Sequence, residues 1–211
     1  MTTAILFDLD GTLLNSLEDL TDSVNYTLAQ YGCPPRTLEE VRTFLGNGAE
    51  QLIRLSLPGK PEDPRVSDVL ATYQAYYATH ARIKTKPYDG ILQALAQIRK
   101  RHPVAIVSNK PDPATKSLSR ELFGGLPAWG ESAACPRKPA PDMLYKAMKA
   151  LGADNCIYVG DSEVDVLTAR NAGVKCLSVL WGFRDKACLL DAGATHLCER
   201  PQDMPAMLET M

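Results

Sequence analysis

The sequence lacks the features of a membrane or nucleic-acid-binding protein. Although 45% of its 211 residues are hydrophobic, no apolar run approaches the ~20 residues that span a bilayer. It has no excess of basic residues, since 23 Lys and Arg stand against 25 Asp and Glu, whereas a phosphate backbone or an anionic lipid surface requires positive charge. An Asp at position 8 interrupts the apolar stretch that a signal peptide would need. We expect a cytoplasmic protein with no nucleic-acid or membrane partner, and no obligate protein partner is evident.

The sequence also lacks paired cysteines. Its six cysteines are irregularly spaced and form no CxxC motif, so neither a zinc site nor a redox pair is predicted. At this length a chain buries roughly 70% of its unfolded surface and needs no disulfides to hold a core. We therefore expect reduced thiols and one domain, or one domain with a smaller insert.

Several apolar runs predict strands that are buried on both faces of a parallel sheet. They cover residues 4–7, 104–107, 156–159 and 174–180, with a weaker run at 194–197. Helical patterns alternate with the later runs, at residues 90–101, 141–151 and 164–172. This alternation predicts an α/β fold with a Rossmann-like, doubly wound parallel sheet.

The interval between the first and second of these runs is too long for one βα unit. Its sequence predicts helices, including one after Ser16, one begun by a capping box at Thr37 and Glu40, and one after Asp63. A turn at residues 46–48 and a proline-containing break at 58–61 separate them. We therefore predict an α/β core of residues 1–14 and 84–211 and a helical insert of residues 15–83.

Asp8 and Asp10 form the strongest chemical signal in the chain. Two carboxylates two residues apart on an extended segment point the same way, and their repulsion requires a cation or substrate that compensates it. Gly11 permits a tight turn that would direct backbone N–H groups toward an anion. The alternative is an Asp-rich turn with only a structural role.

Further polar groups follow the later strands. Ser108 and Asn109 follow the second run, Lys138 precedes a helix, and Asp161 and Asp165 follow the third run. Because ligands bind at the carboxyl ends of parallel strands, these groups are expected to converge on one crevice. Taken singly, Ser108 and Asp161 could be helix caps and Lys138 a solvated surface charge.

These four segments, in this order, resemble the four motifs of the haloacid dehalogenase superfamily of phosphohydrolases, and the helical insert lies where that family carries its cap domain. More narrowly, residues 8–14 with 17–20, 45–48, 107–111 and 179–182 resemble the phosphoglycolate phosphatases. The resemblance covers nearly the whole chain. It implies a hydrolase that acts on a small-molecule phosphate ester.

The resemblance also implies roles for individual residues. Asp8 would attack phosphorus, and Asp10 would act as general acid and base. Hard oxygen ligands favour Mg²⁺, and the implied ligands are the Asp8 carboxylate, the Asp10 main-chain carbonyl and Asp161. Ser162 and Asp165 would lie in the layer outside these ligands and would not bind the ion directly. The implied phosphate-binding residues are Gly11, Thr12, Ser108, Asn109 and Lys138.

Other functions remain open on the sequence alone. An inorganic pyrophosphatase or a phosphomutase acting on a sugar phosphate could use the same motifs with a different cap. A phospho-acceptor protein could hold phosphate on Asp8 without rapid turnover, although Asp10 would hasten hydrolysis. Asp10 favours a phosphate ester over a carbon–halogen substrate, since a departing alkoxide needs a proton and a halide does not. We expect Gly46, Asn47 and Gly48 of the insert to contribute to substrate specificity.

Overall fold

The computed structural model describes residues 2–59, 63–133 and 135–211, and the chain divides into two compact units. One unit comprises Met1–Asn15 and Pro87–Met211, and the other comprises Ser16–Lys86. Residues 84–86, predicted as part of the core, group with the helical unit, and residue 15, predicted as part of the insert, groups with the sheet. Backbone N–H groups of Lys84 and Thr85 donate to the buried Asp19 carboxylate, which explains the first of these groupings. Part of the predicted break at 58–61 lies outside the described residues.

The elements are listed here in chain order. They are β1 (Thr3–Phe7), β2 (Leu14–Asn15), α1 (Leu17–Gln30), α2 (Leu38–Phe44), α3 (Gly48–Ser56), α4 (Val66–His80), β3 (Lys86–Pro87), α5 (Ile91–Ile98), β4 (Val104–Pro111), α6 (Asp112–Phe123), β5 (Ala128–Glu131), α7 (Asp142–Leu151), β6 (Asn155–Gly160), α8 (Glu163–Ala172), β7 (Lys175–Val179), α9 (Lys186–Asp191), β8 (His196–Cys198), a 3₁₀ turn (Pro201–Asp203) and α10 (Met204–Glu209).

The first unit is built on a six-stranded sheet in the order β5-β4-β1-β6-β7-β8. Every neighbouring pair in it is parallel. Because β1 lies at the centre, with β4 on one side and β6 on the other, the carboxyl ends of these three strands meet at one edge of the sheet. The predicted Rossmann-like parallel sheet is confirmed, and the position of the strand-order reversal beside β1 is where such folds bind ligands.

Both faces of the sheet are covered, as expected for strands that consist of apolar residues throughout. Alternate side chains of β1 enter different clusters: Ile5 and Phe7 pack with residues of α5, α6 and α10, whereas Ala4 and Leu6 pack with residues of α7 and α8. All four of these side chains are fully buried. This two-sided core holds β1 rigidly and thereby fixes the position of the residues that follow it.

The second unit consists of the helices α1 to α4. The predicted capping box is present at the start of α2, where the Thr37 side chain accepts from the Glu40 backbone and Glu40 accepts from Thr37. Ser16 stands at the start of α1 without a side-chain capping bond. The exit from this unit is fastened to its entry helix, because the Asp19 carboxylate, 2% exposed, accepts N–H groups of residues 83–85.

The structure contains elements that the sequence patterns did not identify, including the edge strand β5, the short strands β2 and β3, and the helices α6, α9 and α10. Among the residues described, no helix combines the length and the hydrophobicity that crossing a membrane would require.

Candidate active site

The candidate site lies at the carboxyl ends of β1, β4 and β6 in the first unit. Asp8 directly follows β1, Ser108 lies in the last half of β4, and Asp161 directly follows β6. Lys138 reaches the same place from the loop before α7, since its ammonium nitrogen Nζ is 2.9 Å from Asp8 Oδ1. Lys138 and Asp8 therefore meet at this edge of the sheet, where the strands that precede Ser108 and Asp161 also end.

Three carboxylates form the centre of the site. One oxygen from each of Asp8, Asp161 and Asp165 lies within 4.8 Å of the others, and all three residues are buried. Burial, together with the nearby charges of Asp165 and Asp8, raises the pKa of Asp161 to about 8. Crowding of buried carboxylates thus favours their protonated forms, and a bound cation would favour the ionised forms instead.

Three glycines make room for these carboxylates. A Cβ atom on Gly11 would lie 2.3 Å from Asp161 Oδ2, and one on Gly182 would lie 2.2 Å from Asp161 Cβ. A Cβ on Gly160 would lie 2.3 Å from the Asp165 carboxyl carbon. Any side chain at these positions would displace an acidic group, so the requirement for glycine here is steric.

Neutral donors orient the Asp161 carboxylate. The Thr12 hydroxyl donates to Oδ1 over 2.9 Å, and the Phe183 backbone N–H donates to Oδ2 over 2.8 Å. The Trp181 indole N–H in turn donates to the Thr12 carbonyl over 2.9 Å. The loop after β7 thus helps to fix Asp161, which follows β6. The sequence did not predict the contact of Phe183 with Asp161.

Asp165 is engaged on both of its oxygens. Its Oδ2 accepts from the backbone N–H and the hydroxyl of Ser162, at 3.0 and 2.6 Å, in a capping arrangement at the start of α8. Its Oδ1 accepts from Lys138 Nζ over 2.7 Å. Donors of this chain thus hold both oxygens of Asp165.

The Lys138 ammonium is buried and held by three oxygens. Besides Asp8 and Asp165, the Tyr158 hydroxyl lies 2.8 Å from Nζ and donates onward to the Val107 carbonyl. Burial alone would lower the pKa of Lys138, but the charges of Asp165 and Asp8 outweigh it and raise that pKa above its usual range. The lysine is therefore a fixed positive charge, and Tyr158 is a positioning residue that the sequence analysis missed.

Asp8 has a buried carboxylate oxygen that accepts no hydrogen bond of good geometry from the described residues. This oxygen, Oδ1, forms an ion pair with Lys138 Nζ over 2.9 Å. Burial raises the pKa of Asp8 to about 6, against the lowering effect of Lys138. A buried carboxylate oxygen without a directed donor is suited to a cation or an electrophile.

Asn109, whose binding to phosphate stays a prediction, contacts the main chain of Lys138 through its side chain. Its side-chain Nδ2 donates to the Lys138 carbonyl over 3.0 Å, and its Oδ1 accepts from the Lys138 backbone N–H over 2.7 Å. Both ends of the amide thus hold the Lys138 main chain. The structure assigns Asn109 a positioning contact, because a pair of buried backbone groups would otherwise be unpaired.

Gly11 and Thr12, whose binding to phosphate stays a prediction, form a turn after β1. The Gly11 N–H donates to the Leu14 carbonyl over 2.9 Å, and the Thr12 N–H contacts the Leu9 carbonyl at 3.4 Å. These amides close the turn itself, which Gly11 permits with a φ of 85°. Both residues also support Asp161. Gly11 leaves space for its carboxylate because it has no side chain, and the Thr12 hydroxyl donates a hydrogen bond to it.

Asp10 has a cationic partner that the sequence analysis did not assign. Lys110 Nζ lies 3.0 Å from Asp10 Oδ1 and 2.8 Å from Oδ2. The Lys110 side chain is only 2% exposed and that of Asp10 is 19% exposed. The lysine was visible in the sequence as the residue after Asn109, but nothing in its spacing indicated which carboxylate it would contact.

Gly46, Asn47 and Gly48, the predicted specificity residues, belong to the helical unit. Gly46 and Gly48 both have positive φ values, 106° and 81°, and they bracket Asn47 at the start of α3. The two glycines thus form the turn that separates α2 from α3. Their role toward a substrate stays a prediction.

Comparison with known proteins agrees with this arrangement. Residues 5–179 match the family model described as haloacid dehalogenase-like hydrolase. The chain is 33% identical to phosphoglycolate phosphatase 1 of Pseudomonas aeruginosa over 95% of this chain and 77% of that protein. It is 35% identical to the phosphoglycolate phosphatase of Rhodobacter capsulatus over 87% of each protein.

A solved structure shows the same fold over the full length. A protein of Lactobacillus delbrueckii subsp. bulgaricus superimposes with a TM-score of 0.92 at 36% identity, over 99% of both chains. The match spans the sheet, the helical unit and all the candidate site residues described above. The chain therefore belongs to the haloacid dehalogenase-like hydrolase family.

Proposed function

We propose that this protein is a Mg²⁺-dependent phosphatase that hydrolyses a small phosphomonoester, similar to 2-phosphoglycolate, through an aspartyl-phosphate on Asp8. The observation that carries the proposal is the environment of the Asp8 carboxylate. It has one oxygen without a directed donor, a fixed ammonium group 2.9 Å away, and a second aspartate two residues along the chain. These are the parts that phosphoryl transfer through a carboxylate nucleophile requires.

The residues present fit a magnesium ion. The Asp8 and Asp161 carboxylates supply hard oxygen atoms within 4.8 Å of each other, and the Asp10 main-chain carbonyl is the third proposed ligand. Asp165 would orient the site through Lys138 and Ser162. When bound, the ion would neutralise the carboxylates and the phosphate oxygens that approach them.

The proposed reaction proceeds in two displacements at phosphorus. An Asp8 oxygen forms a bond to phosphorus as the ester P–O bond breaks, and Asp10 gives its proton to the leaving alkoxide. Asp10, now ionised, takes a proton from a water molecule whose oxygen attacks the aspartyl-phosphate. Inorganic phosphate leaves, and the Asp8 carboxylate is restored. General acid–base catalysis of this type is worth roughly 10²–10⁴-fold in rate.

Lys138 and Ser108 would hold the transferring phosphoryl group by electrostatic attraction and hydrogen bonding. Lys138 suits this role because Asn109 fixes its main chain and Tyr158 fixes its ammonium group. The Ser108 hydroxyl oxygen accepts a hydrogen bond from the Lys110 backbone N–H over 3.3 Å. The hydroxyl hydrogen is therefore free of that contact and could be donated to a phosphoryl oxygen. Such preorganised donors supply most of the catalysis in phosphoryl transfer.

The substrate proposal is supported by the names of the relatives, which are phosphoglycolate phosphatases. We propose the helical unit as a cap domain and the turn at Gly46, Asn47 and Gly48 as a specificity element within it. The cytoplasmic location predicted from composition remains part of the same proposal.

The test combines a substrate panel with one substitution. Purified protein should hydrolyse 2-phosphoglycolate with a higher kcat/KM than sugar phosphates or pyrophosphate, and EDTA should abolish turnover until Mg²⁺ is restored. Asp8→Asn should remove turnover completely, whereas Asp191→Asn, which changes an exposed aspartate of α9, should not.

Other outcomes would identify the alternatives. Preference for pyrophosphate, or transfer of phosphate between positions of a sugar, would replace the phosphatase assignment. A long-lived phosphoprotein with negligible p-nitrophenyl phosphate hydrolysis would indicate a phospho-acceptor. Full activity of Asp8→Asn would refute the nucleophile assignment.

A further inference from the structure

The buried ion pair between Lys110 and Asp10 has no place in the two-step reaction as written above. Lys110 lies at the end of β4, and its ammonium group contacts both carboxylate oxygens of Asp10 at 3.0 and 2.8 Å. Taking a lysine side chain out of water is unfavourable unless its partner compensates. A contact of that kind at the proposed acid–base residue requires a functional explanation.

The geometry points to Lys110 as the positioning residue of the acid–base catalyst: it holds the Asp10 carboxylate in the orientation from which a proton can reach the leaving oxygen. This inference rests on the proposed function. An ammonium group bonded to both oxygens opposes rotation of the carboxylate about its last side-chain bond. One-fifth of the Asp10 side chain, 19%, stays exposed, so the carboxylate remains accessible while it is held.

The main chain around Lys110 is itself fixed. Its N–H donates to the Ser108 hydroxyl over 3.3 Å, and its carbonyl accepts from the Thr115 hydroxyl of α6 over 3.2 Å. Gly130 of β5 packs so closely that a Cβ there would lie 2.5 Å from the Lys110 carbonyl oxygen. The lysine therefore projects from a rigid point, which is what a residue that positions another must do.

Direct contact of Lys110 with a substrate carboxylate is the alternative role, and burial argues against it. Only 2% of the lysine side chain is exposed, and its ammonium group is directed at Asp10. An effect that Lys110 exerts through this ion pair should therefore appear in the steps that use Asp10.

The experiment uses the dependence of the reaction on the leaving group. An alkyl phosphate such as 2-phosphoglycolate needs a proton on its departing oxygen, whereas p-nitrophenolate departs without one. Lys110→Met should lower kcat/KM for the alkyl ester by about 10²-fold, the loss typical of a misplaced catalytic group, and change kcat/KM for p-nitrophenyl phosphate by less than about threefold. Lys110→Arg, which keeps the charge and the donors, should recover part of the loss.

A second measurement follows the hydrolysis of the aspartyl-phosphate, which also uses Asp10. With p-nitrophenyl phosphate, Lys110→Met should release a burst of about one equivalent of p-nitrophenol and then turn over slowly, so that kcat and KM fall together. In an Asp10→Asn background, Lys110→Met should cause little further loss, because the residue through which it acts is already altered.

Lys116 offers a matched control. It forms a lysine–aspartate pair of similar length, 2.7 Å to Asp112, but its side chain is 49% exposed on α6. Lys116→Met should leave both substrates unaffected. Circular dichroism and thermal unfolding of each variant separate loss of fold from loss of function, and Lys110→Arg supplies the test if Lys110→Met does not fold.

The inference would be overturned by equal losses on both substrates in a folded variant, by full activity of Lys110→Met, or by an undiminished effect in the Asp10→Asn background. If Lys110→Arg alone is folded, a loss of kcat/KM confined to the alkyl ester supports the positioning role, and equal losses on both esters, or no loss on either, refute it. Wild-type protein that hydrolyses neither ester would instead refute the proposed function, and the inference with it.

Discussion

The raised pKa values of the acidic cluster predict that the metal-free protein becomes less stable as the pH rises through the neutral range. Burial and neighbouring charge raise the pKa of Asp161 to about 8, and burial raises that of Asp8 to about 6. A carboxyl whose pKa is higher in the folded protein binds more protons when folded. The loss of stability is therefore absent below the pKa that the carboxyl has in the unfolded chain. It is complete above the pKa that the carboxyl has in the folded protein.

The magnitude follows from the linkage relation. Each such carboxyl lowers the free energy of unfolding by up to about 1.4 kcal/mol per pH unit between its two pKa values. Between pH 5 and 7, Asp161 alone should therefore remove up to about 3 kcal/mol. For a protein of this size that corresponds to a fall in Tm of roughly 6–12 °C. Bound Mg²⁺ should reverse the trend, since a cation binds the ionised carboxylates and competes with protons.

The assay is thermal unfolding followed by tryptophan fluorescence, in EDTA and in Mg²⁺, from pH 5 to 8. Both tryptophans, Trp129 and Trp181, lie in the unit that contains the site, so their signal reports its unfolding. Asp161→Asn should show a shallower loss of Tm with pH than wild type, while Asp191→Asn should follow wild type. Parallel curves for wild type and Asp161→Asn would refute the electrostatic reasoning.

Three further predictions concern the groups that support the site and the helical unit. Gly182→Ala should weaken Mg²⁺ binding at least tenfold by calorimetry, because its Cβ would lie 2.2 Å from the Asp161 Cβ atom. Asn109→Ala should lower the free energy of unfolding by about 1–3 kcal/mol in urea titration, because two buried Lys138 backbone groups lose their partner. Asp19→Ala should accelerate hydrogen exchange of the amides of residues 83–85 by at least tenfold, since their acceptor is removed.

The central sheet was predictable because its strands are continuous apolar runs bounded by chemically distinctive residues. The predicted run 104–107 corresponds to β4, which extends further than predicted, to Pro111, and so includes Lys110. The edge strand β5 was not predictable in the same way. Its four residues, Ala128–Glu131, include a glycine and alternate between buried and partly exposed positions, and its pairing with β4 decides its conformation.

The identities of the site residues could be predicted from the sequence more readily than their contacts. Asp8 and Asp161 follow strands, and the carboxyl ends of parallel strands meet. The partners of Asn109 and Lys110 lie 29 and 100 residues away along the chain, and no local pattern records such pairings. The steric need for Gly182 likewise appears only when the loop after β7 is placed against Asp161.

The distribution of positive charge indicates where a cation is most needed. Lys138 forms ion pairs with Asp8 and Asp165, and Lys110 forms one with Asp10. Asp161, in contrast, contacts neutral donors, the Thr12 hydroxyl and a backbone N–H, and in the described part of the chain no lysine or arginine forms an ion pair with it. Its pKa accordingly rises further than that of Asp8, whose lysine neighbour offsets part of the effect of burial. Four carboxylates facing two ammonium groups leave a net charge of −2 when all six are ionised, which one divalent cation at Asp161 would cancel before a phosphate ester arrives.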